Sequence, residues 1–200
     1  MALDTLESPS TETNSNQYEP ELYKKWFKAG GQSGFLSITP FTKAARFTID
    51  IGKINPDNGS VQSHTQCWID GVDLSVYLNS VVNGTAVDLF PQRGQCPSPE
   101  SFITYGGSAK ASPVIARVFK THYWGAKKDN IGDPKGFAWK CGHFEGRATD
   151  TGAIEPIFDK PIGADMIRVS RLEMTEIALR VKLCMIGWAS NNPQWYHNER

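Results

Sequence analysis

The 200-residue chain states one pattern twice, and that duplication constrains its fold more than any other feature. A strand-rich stretch from Phe35 to about Asp70 leads into a short amphipathic helix ending at Asn83-Gly84. A second, from Phe102 to about Val169, leads into a longer helix ending at Gly187-Trp188. Inside the stretches apolar and polar residues alternate, as in Phe47-Thr48-Ile49-Asp50-Ile51 and again from Val61 to Ile69, which is the period of a half-buried strand. Asn55-Pro56-Asp57-Asn58-Gly59 forms a turn between them, because Pro presets one dihedral and Asn-Gly tolerates positive φ. The period then lengthens. Leu74, Tyr77, Leu78 and Val81 recur at helical spacing behind Asp73 as a cap. In the second unit, Ser170-x-x-Glu173 is a capping box, followed by Met174, Ile177, Val181, Cys184 or Met185, and Trp188 along one stripe. The expected fold is α+β, with two repeated antiparallel strand-meander-plus-helix units whose sheets pack against helices. The first unit covers about 30–84, a Pro- and Gly-rich connector 85–101, and the second unit about 102–188. Residues 1–21 and 189–200 are expected to be tails, the first acidic and disordered.

Charge is unevenly spread beneath a net charge of zero. Residues 1–21 hold five acids and no base, residues 22–147 hold fifteen Lys/Arg against nine Asp/Glu, and residues 148–200 hold six against seven. A mildly basic body suits phosphate contacts, although an ordinary solvated surface has the same balance. No run of apolar residues reaches membrane-spanning length, and the N-terminus lacks the pattern of a targeting segment. The widely spaced Cys67, Cys96, Cys141 and Cys184 predict no disulfide framework and a reducing, intracellular compartment.

Enzyme signatures are absent. There is no GxSxG, P-loop or HExxH, and Gly30-Gly31-Gln32-Ser33-Gly34 precedes a strand instead of opening a helix after one. A non-catalytic protein without cofactor or metal is expected. His64-x-x-Cys67 and Cys141-x-His143 carry zinc-type ligands. Residues three apart on a strand face opposite ways, however, so His64 and Cys67 do not share an ion, and Cys141 with His143 is too few.

Aromatic and basic residues interleave. Lys24, Lys25, Trp26, Phe27 and Lys28 cluster at the entry, and Phe41, Lys43 and Arg46 follow. Lys120, Tyr123 and Trp124 precede a loop with Lys127 and Lys128, and Trp139 and Lys140 come after it. Proteins that hold single strands combine base stacking on aromatics with a cationic track for the backbone. The competing expectation for any one aromatic is a place in the core. The stacking candidates are Trp26, Phe27, Phe41, Tyr123, Trp124 and Trp139. The phosphate candidates are Lys24, Lys25, Lys28, Lys43, Arg46, Lys120, Lys127, Lys128 and Lys140.

The element order resembles that of the Whirly-type single-stranded DNA-binding proteins. Gly31-Gln32-Ser33-Gly34-Phe35-Leu36-Ser37-Ile38-Thr39-Pro40 is similar to that family's strand entry, with Gln32 and Ser33 where the family has basic and small residues. Arg180-Val181-Lys182-Leu183-Cys184-Met185-Ile186-Gly187-Trp188 is similar to its last helix. The resemblance spans about 22–188. It implies two sheets packed against helices like propeller blades, homo-oligomers such as tetramers, and single-stranded DNA held with low sequence preference in replication, recombination or repair. Plant members of that family carry organelle transit peptides, a pattern the N-terminus here lacks, so the expected location is cytoplasm or nucleoid, in a bacterial, phage or other intracellular relative. The alternatives are RNA binding on the same scaffold, or a self-assembling structural protein.

Overall fold

The computed structural model describes residues 20–29, 32–41, 44–83, 102–108, 112–123 and 136–191. Four antiparallel strands, β1 (Tyr23–Ala29), β2 (Gln32–Phe41), β3 (Arg46–Ile54) and β4 (Val61–Asp70), form a meander in the order β1-β2-β3-β4. Helix α1 (Gly71–Asn83) follows directly. The plan repeats in β5 (Phe102–Ser108), β6 (Ile115–Tyr123), β7 (Gly136–Ala148) and β8 (Ile154–Ser170), a second meander that leads into α2 (Arg171–Asn191). The fold is thus α+β, with two strand-meander-plus-helix units. None of the described helices is long and apolar enough to cross a membrane.

Local chemistry explains the boundaries. At the β3–β4 turn, Asn55 Oδ1 accepts the Asp57 amide and Asn58 Oδ1 accepts the Ser60 amide, both at 2.9 Å, while Gly59 takes a φ of 70°. The capping box closes as its sequence requires: the Ser170 amide donates to Glu173 Oε2 at 2.7 Å, and the Glu173 amide donates to Ser170 Oγ at 3.2 Å. Helix α1 departs from expectation. Its cap is Asp70, whose Oδ1 accepts the Val72 amide at 2.9 Å, so the helix begins a turn before Asp73. The basic-aromatic run at the entry is itself strand β1, and β2 continues through Pro40 to Phe41. Strand β8 runs unbroken from Ile154 to Ser170. Because β8 lies at a sheet edge, Pro156 and Pro161 cost it no central ladder bond.

One core serves both units. Leu36, Ile38, Phe47, Ile49, Ile51 and Ile69 from the first sheet meet Phe119, Trp139, Cys141, Ile167 and Val169 from the second. Leu74, Tyr77, Leu78 and Val81 of α1, and Met174, Ile177, Val181 and Trp188 of α2, cover them. The sheets are also tied by polar bonds. Ser63 Oγ donates to Asp165 Oδ1 at 2.6 Å, and Thr65 Oγ1 lies 3.2 Å from both Asp165 Oδ2 and the Cys141 carbonyl. His143 Nε2 reaches the Gln66 carbonyl at 3.0 Å, and the Cys67 thiol donates to the Val118 carbonyl at 3.2 Å. Cys67, Cys141 and Cys184 are free. Burial, then the Cys67 thiol beside it, pushes the Cys141 thiol well above its ordinary value, which suits a buried neutral group. The last helix returns to the first strand, where Arg180 Nη1 donates to the Leu22 carbonyl at 3.0 Å.

Two consequences are testable. Asp165 is buried, so Asp165→Ala leaves the Ser63 hydroxyl without its acceptor and removes one of the two acceptors within reach of Thr65. Urea unfolding is expected to show a loss of about 1–3 kcal/mol. Glu173 supplies a pH dependence. Burial raises its carboxyl, but Lys25 and the bonds from Ser170 outweigh that and hold its pKa below the ordinary value. A depressed carboxylate contributes stability above its unfolded pKa, about 4.3, and loses it as the pH falls through the lower folded value. As the pH falls from the first of these values to the second, the wild type should lose urea resistance more steeply than Glu173→Gln.

Candidate nucleic-acid interface

Each sheet has an inner face in the core and an outer face toward solvent, and strand alternation sorts the candidate residues between them. On the outer face of the first sheet, Trp26, Phe35, Gly52 and His64 stand opposite one another across all four strands. Trp26, 62 % exposed, contacts Phe35 with ring centres 5.8 Å apart. The Phe35 ring lies over Gly52, where a Cβ would collide with it, and continues to the His64 ring at 6.0 Å with 27° between planes. Gly52 therefore keeps the row flat. Asp50 Oδ1 accepts His64 Nε2 at 2.7 Å and Gln66 Nε2 at 2.9 Å, which holds the imidazole at the end of the row. Further along this face Phe41 meets Trp68 edge-on at 5.1 Å.

Where the first sheet gives way to the second, a groove of about 700 Å³ opens, lined by Arg46, Trp68, Tyr105 and Arg117. Asp70 and Asp73 also line it. The Asp70 carboxylate caps α1 and faces that helix's positive end, which offsets its charge. Among the described residues neither Arg46 nor Arg117 forms an ion pair. Beyond the groove, on the outer face of the second sheet, a concavity of about 420 Å³ is lined by Ile103, Lys120, Lys140, Phe144 and Phe158. Ile103 and Tyr105 share a face of β5 two residues apart, so groove and concavity adjoin. Lys120 and Lys140 stand directly opposite each other, and neither has an ion pair among the described residues. Phe144 and Phe158 pack edge to face at 5.5 Å, with Phe158 exposed.

The remaining candidates separate by the same alternation. Phe27 points inward, packs against the core and sits over Gly34, so it is a core aromatic and not a stacking surface. Trp139 is likewise corrected. It has no exposed surface, meets Phe119 edge-on at 5.3 Å, and lies among the buried Tyr77 and Thr121. Its place on β7, two residues from Cys141, puts it in the layer between the sheets. Lys24 is exposed but pairs with Glu21 at 3.0 Å, its ammonium 5.2 Å from the Trp26 ring centre. Lys25 is ion-paired to Glu173. Lys28 takes an outer-face position on β1 opposite Ser33, and Tyr123 closes β6 opposite Phe137. The side chains of Lys28 and Tyr123, and residues Lys43, Trp124, Lys127 and Lys128, lie outside the described residues.

Phe35, His64, Trp68, Tyr105, Arg117, Phe144 and Phe158 were not among the sequence candidates. For two of them a signal was present. His64 and Trp68 fall on the polar phase of the alternation in β4, out of step with the buried Thr65, Cys67 and Ile69. For Phe144 and Phe158 no local signal existed, because β8 bends irregularly against β7 to bring them together.

No protein-family model matches this chain, and no curated protein does. Among solved structures it is similar to a crystal structure of WHY1 from Arabidopsis thaliana, at 9 % identity over 88 % of this chain and 91 % of that one, with a TM-score of 0.44. At that level of likeness, function is read from this chain's own side chains.

Proposed function

We propose that the chain is a non-catalytic single-stranded DNA-binding protein. The observation that carries this is the pairing of unneutralised cations with accessible rings. Arg46 and Arg117 flank Trp68 and Tyr105 in the groove, and Lys120 and Lys140 flank Phe144 and Phe158 on the adjoining face. Like charges directly opposed on a sheet repel, and a phosphate between Lys120 and Lys140 relieves that cost. A duplex offers phosphates but no accessible base faces, so rings set beside cations favour a strand whose bases are unpaired. Stacking is nearly indifferent to base identity, so sequence preference is low, as replication, recombination or repair requires. Trp26, Phe35 and His64 form a further stacking row, with Phe41 and Trp68 beside it. Tyr123, Trp124, Lys28, Lys43, Lys127 and Lys128 belong to the proposal on their sequence pattern alone. Several copies acting together hold a long strand more tightly than one groove does.

Fluorescence anisotropy with matched single- and double-stranded oligonucleotides at two salt concentrations tests this. Single strands are expected to bind tightly and to weaken as salt rises. Arg46→Ala and Arg117→Ala should each lower the salt slope by about 0.7. Trp68→Ala should cost about 1–3 kcal/mol of affinity. Equal affinity for duplex, or none for either, rejects the proposal. A competing RNA oligomer that wins over matched DNA moves the assignment to RNA. Trp26→Ala provides the control for stability, because this exposed side chain should change urea stability by no more than about 0.5 kcal/mol. Trp139→Ala should cost about 3–5 kcal/mol, since it empties a core position.

A further inference from the structure

At the groove, one rung of the first sheet sets an acid against a base. Arg46 on β3 stands directly opposite Asp70 on β4, and both are exposed and line the groove. The two form no ion pair with each other. Asp70 spends one oxygen on its own helix: Oδ1 accepts the Val72 amide at 2.9 Å and lies 3.4 Å from the Asp73 amide. A carboxylate oxygen accepts at two sites, so Oδ1 is committed to α1 and Oδ2 is left for the groove. A carboxylate repels phosphate, so this oxygen suits an N–H donor on whatever the groove holds. Trp68, two residues before Asp70 on the same face, presents a ring there and is met edge-on by Phe41 at 5.1 Å. Gly106, which also lines the groove, has nothing within 4 Å of where a Cβ would stand, and that leaves room for a planar ring.

Resting on the strand-binding reading, we propose that this rung recognises one base of the strand, and that the base is cytosine. Arg46 offers a fork of two parallel N–H donors, and Asp70 Oδ2 offers one acceptor beside it. Unpaired bases are recognised on their pairing edges, and that of cytosine carries the complementary set: an amino donor at N4, then acceptors at N3 and O2. The Arg46–Asp70 rung thus copies the pairing edge of guanine, one carbonyl acceptor followed by two N–H donors. Directly opposed residues on a sheet have Cβ atoms about 5 Å apart, close enough for one base to touch both. Thymine and guanine each turn a ring N–H toward the guanidinium and leave donors facing donors. Adenine has an amino group for Asp70 but a single acceptor for the fork. The other N–H groups of Arg46 stay available to a phosphate. One position therefore gains a base preference, while stacking along the rest of the track stays indifferent to sequence.

Fluorescence anisotropy of the full chain with matched dC and dT oligomers, at neutral pH and one salt concentration, tests this. Both strands should bind, dC roughly ten-fold more tightly. One cytosine placed within a dT oligomer should bind more tightly than one guanine or adenine at the same place. Asp70→Asn keeps an oxygen for the Val72 amide, so the helix cap and the circular dichroism are retained, but it turns an amide N–H toward the groove. In that variant the ratio of dC to dT affinity is expected to lose its ten-fold excess. Equal affinity of the wild type for dC and dT, a larger gain from guanine or adenine than from cytosine, or a dC preference that survives Asp70→Asn overturns the proposal. Equal and tight binding of the two strands counts against cytosine recognition alone, whereas no binding of either removes the strand-binding reading with it.

Discussion

Everything at the surface depends on the junction between the two sheets, and its least replaceable component is the Asp165 carboxylate. It is buried, accepts the hydroxyls of Ser63 and Thr65, and has Lys53 Nζ 3.9 Å away. A buried carboxylate is costly unless its oxygens are satisfied, and here both are. Hydrophobic packing of Ile49, Ile51, Cys67, Phe119 and Cys141 draws the sheets together without preferring one alignment. The directional bonds from Ser63, Thr65 and His143 select one position of β4 against β7 and β8. The groove beside Trp68 and Tyr105 exists only at that position.

Once the sheets are set face to face, each strand divides its residues between core and solvent. The division falls inside motifs that look uniform. Lys24, Lys25, Trp26 and Phe27 are consecutive, yet Trp26 joins an outer aromatic row while Phe27 packs inward. Charge is divided in the same way. Lys24 and Lys25 are neutralised by Glu21 and Glu173, so the basic entry serves to join β1 to its neighbours, including the capping box of α2. Arg46, Arg117, Lys120 and Lys140 carry no such partner among the described residues. A basic residue that forms no ion pair, beside an accessible ring, is the combination that draws in an anion with a flat aromatic body.

The helices extend this argument to a second surface. A helix that covers a core needs one apolar stripe, and α2 has two. The inner stripe closes the chain's own core, with Trp188 stacked on Phe47 at 4.9 Å. The outer one (Leu172, Leu179, Leu183 and Ile186) has no counterpart within the described part of the chain.

Much of this architecture was legible in the residues. Alternation in β3 and β4, the Asn55–Gly59 turn, the Ser170–Glu173 box and the stripe ending at Trp188 are set by local stereochemistry and by periods of two and 3.6, which need no knowledge of distant contacts. The α+β class and the two-unit plan follow from them. The site was only partly legible. Trp139 and Trp26 are both aromatic residues next to lysines, and what separates them is which face of a sheet meets another sheet. Residue spacing within one strand does not contain that information. The opposition of Lys120 to Lys140, the flat lane over Gly52 and the groove from Arg46 to Arg117 arise from register and from contacts between residues far apart in the chain. Sequence by itself determined the elements and their order. The tertiary structure decided which of their side chains reach solvent, because burial is a property of packed surfaces and not of any single strand.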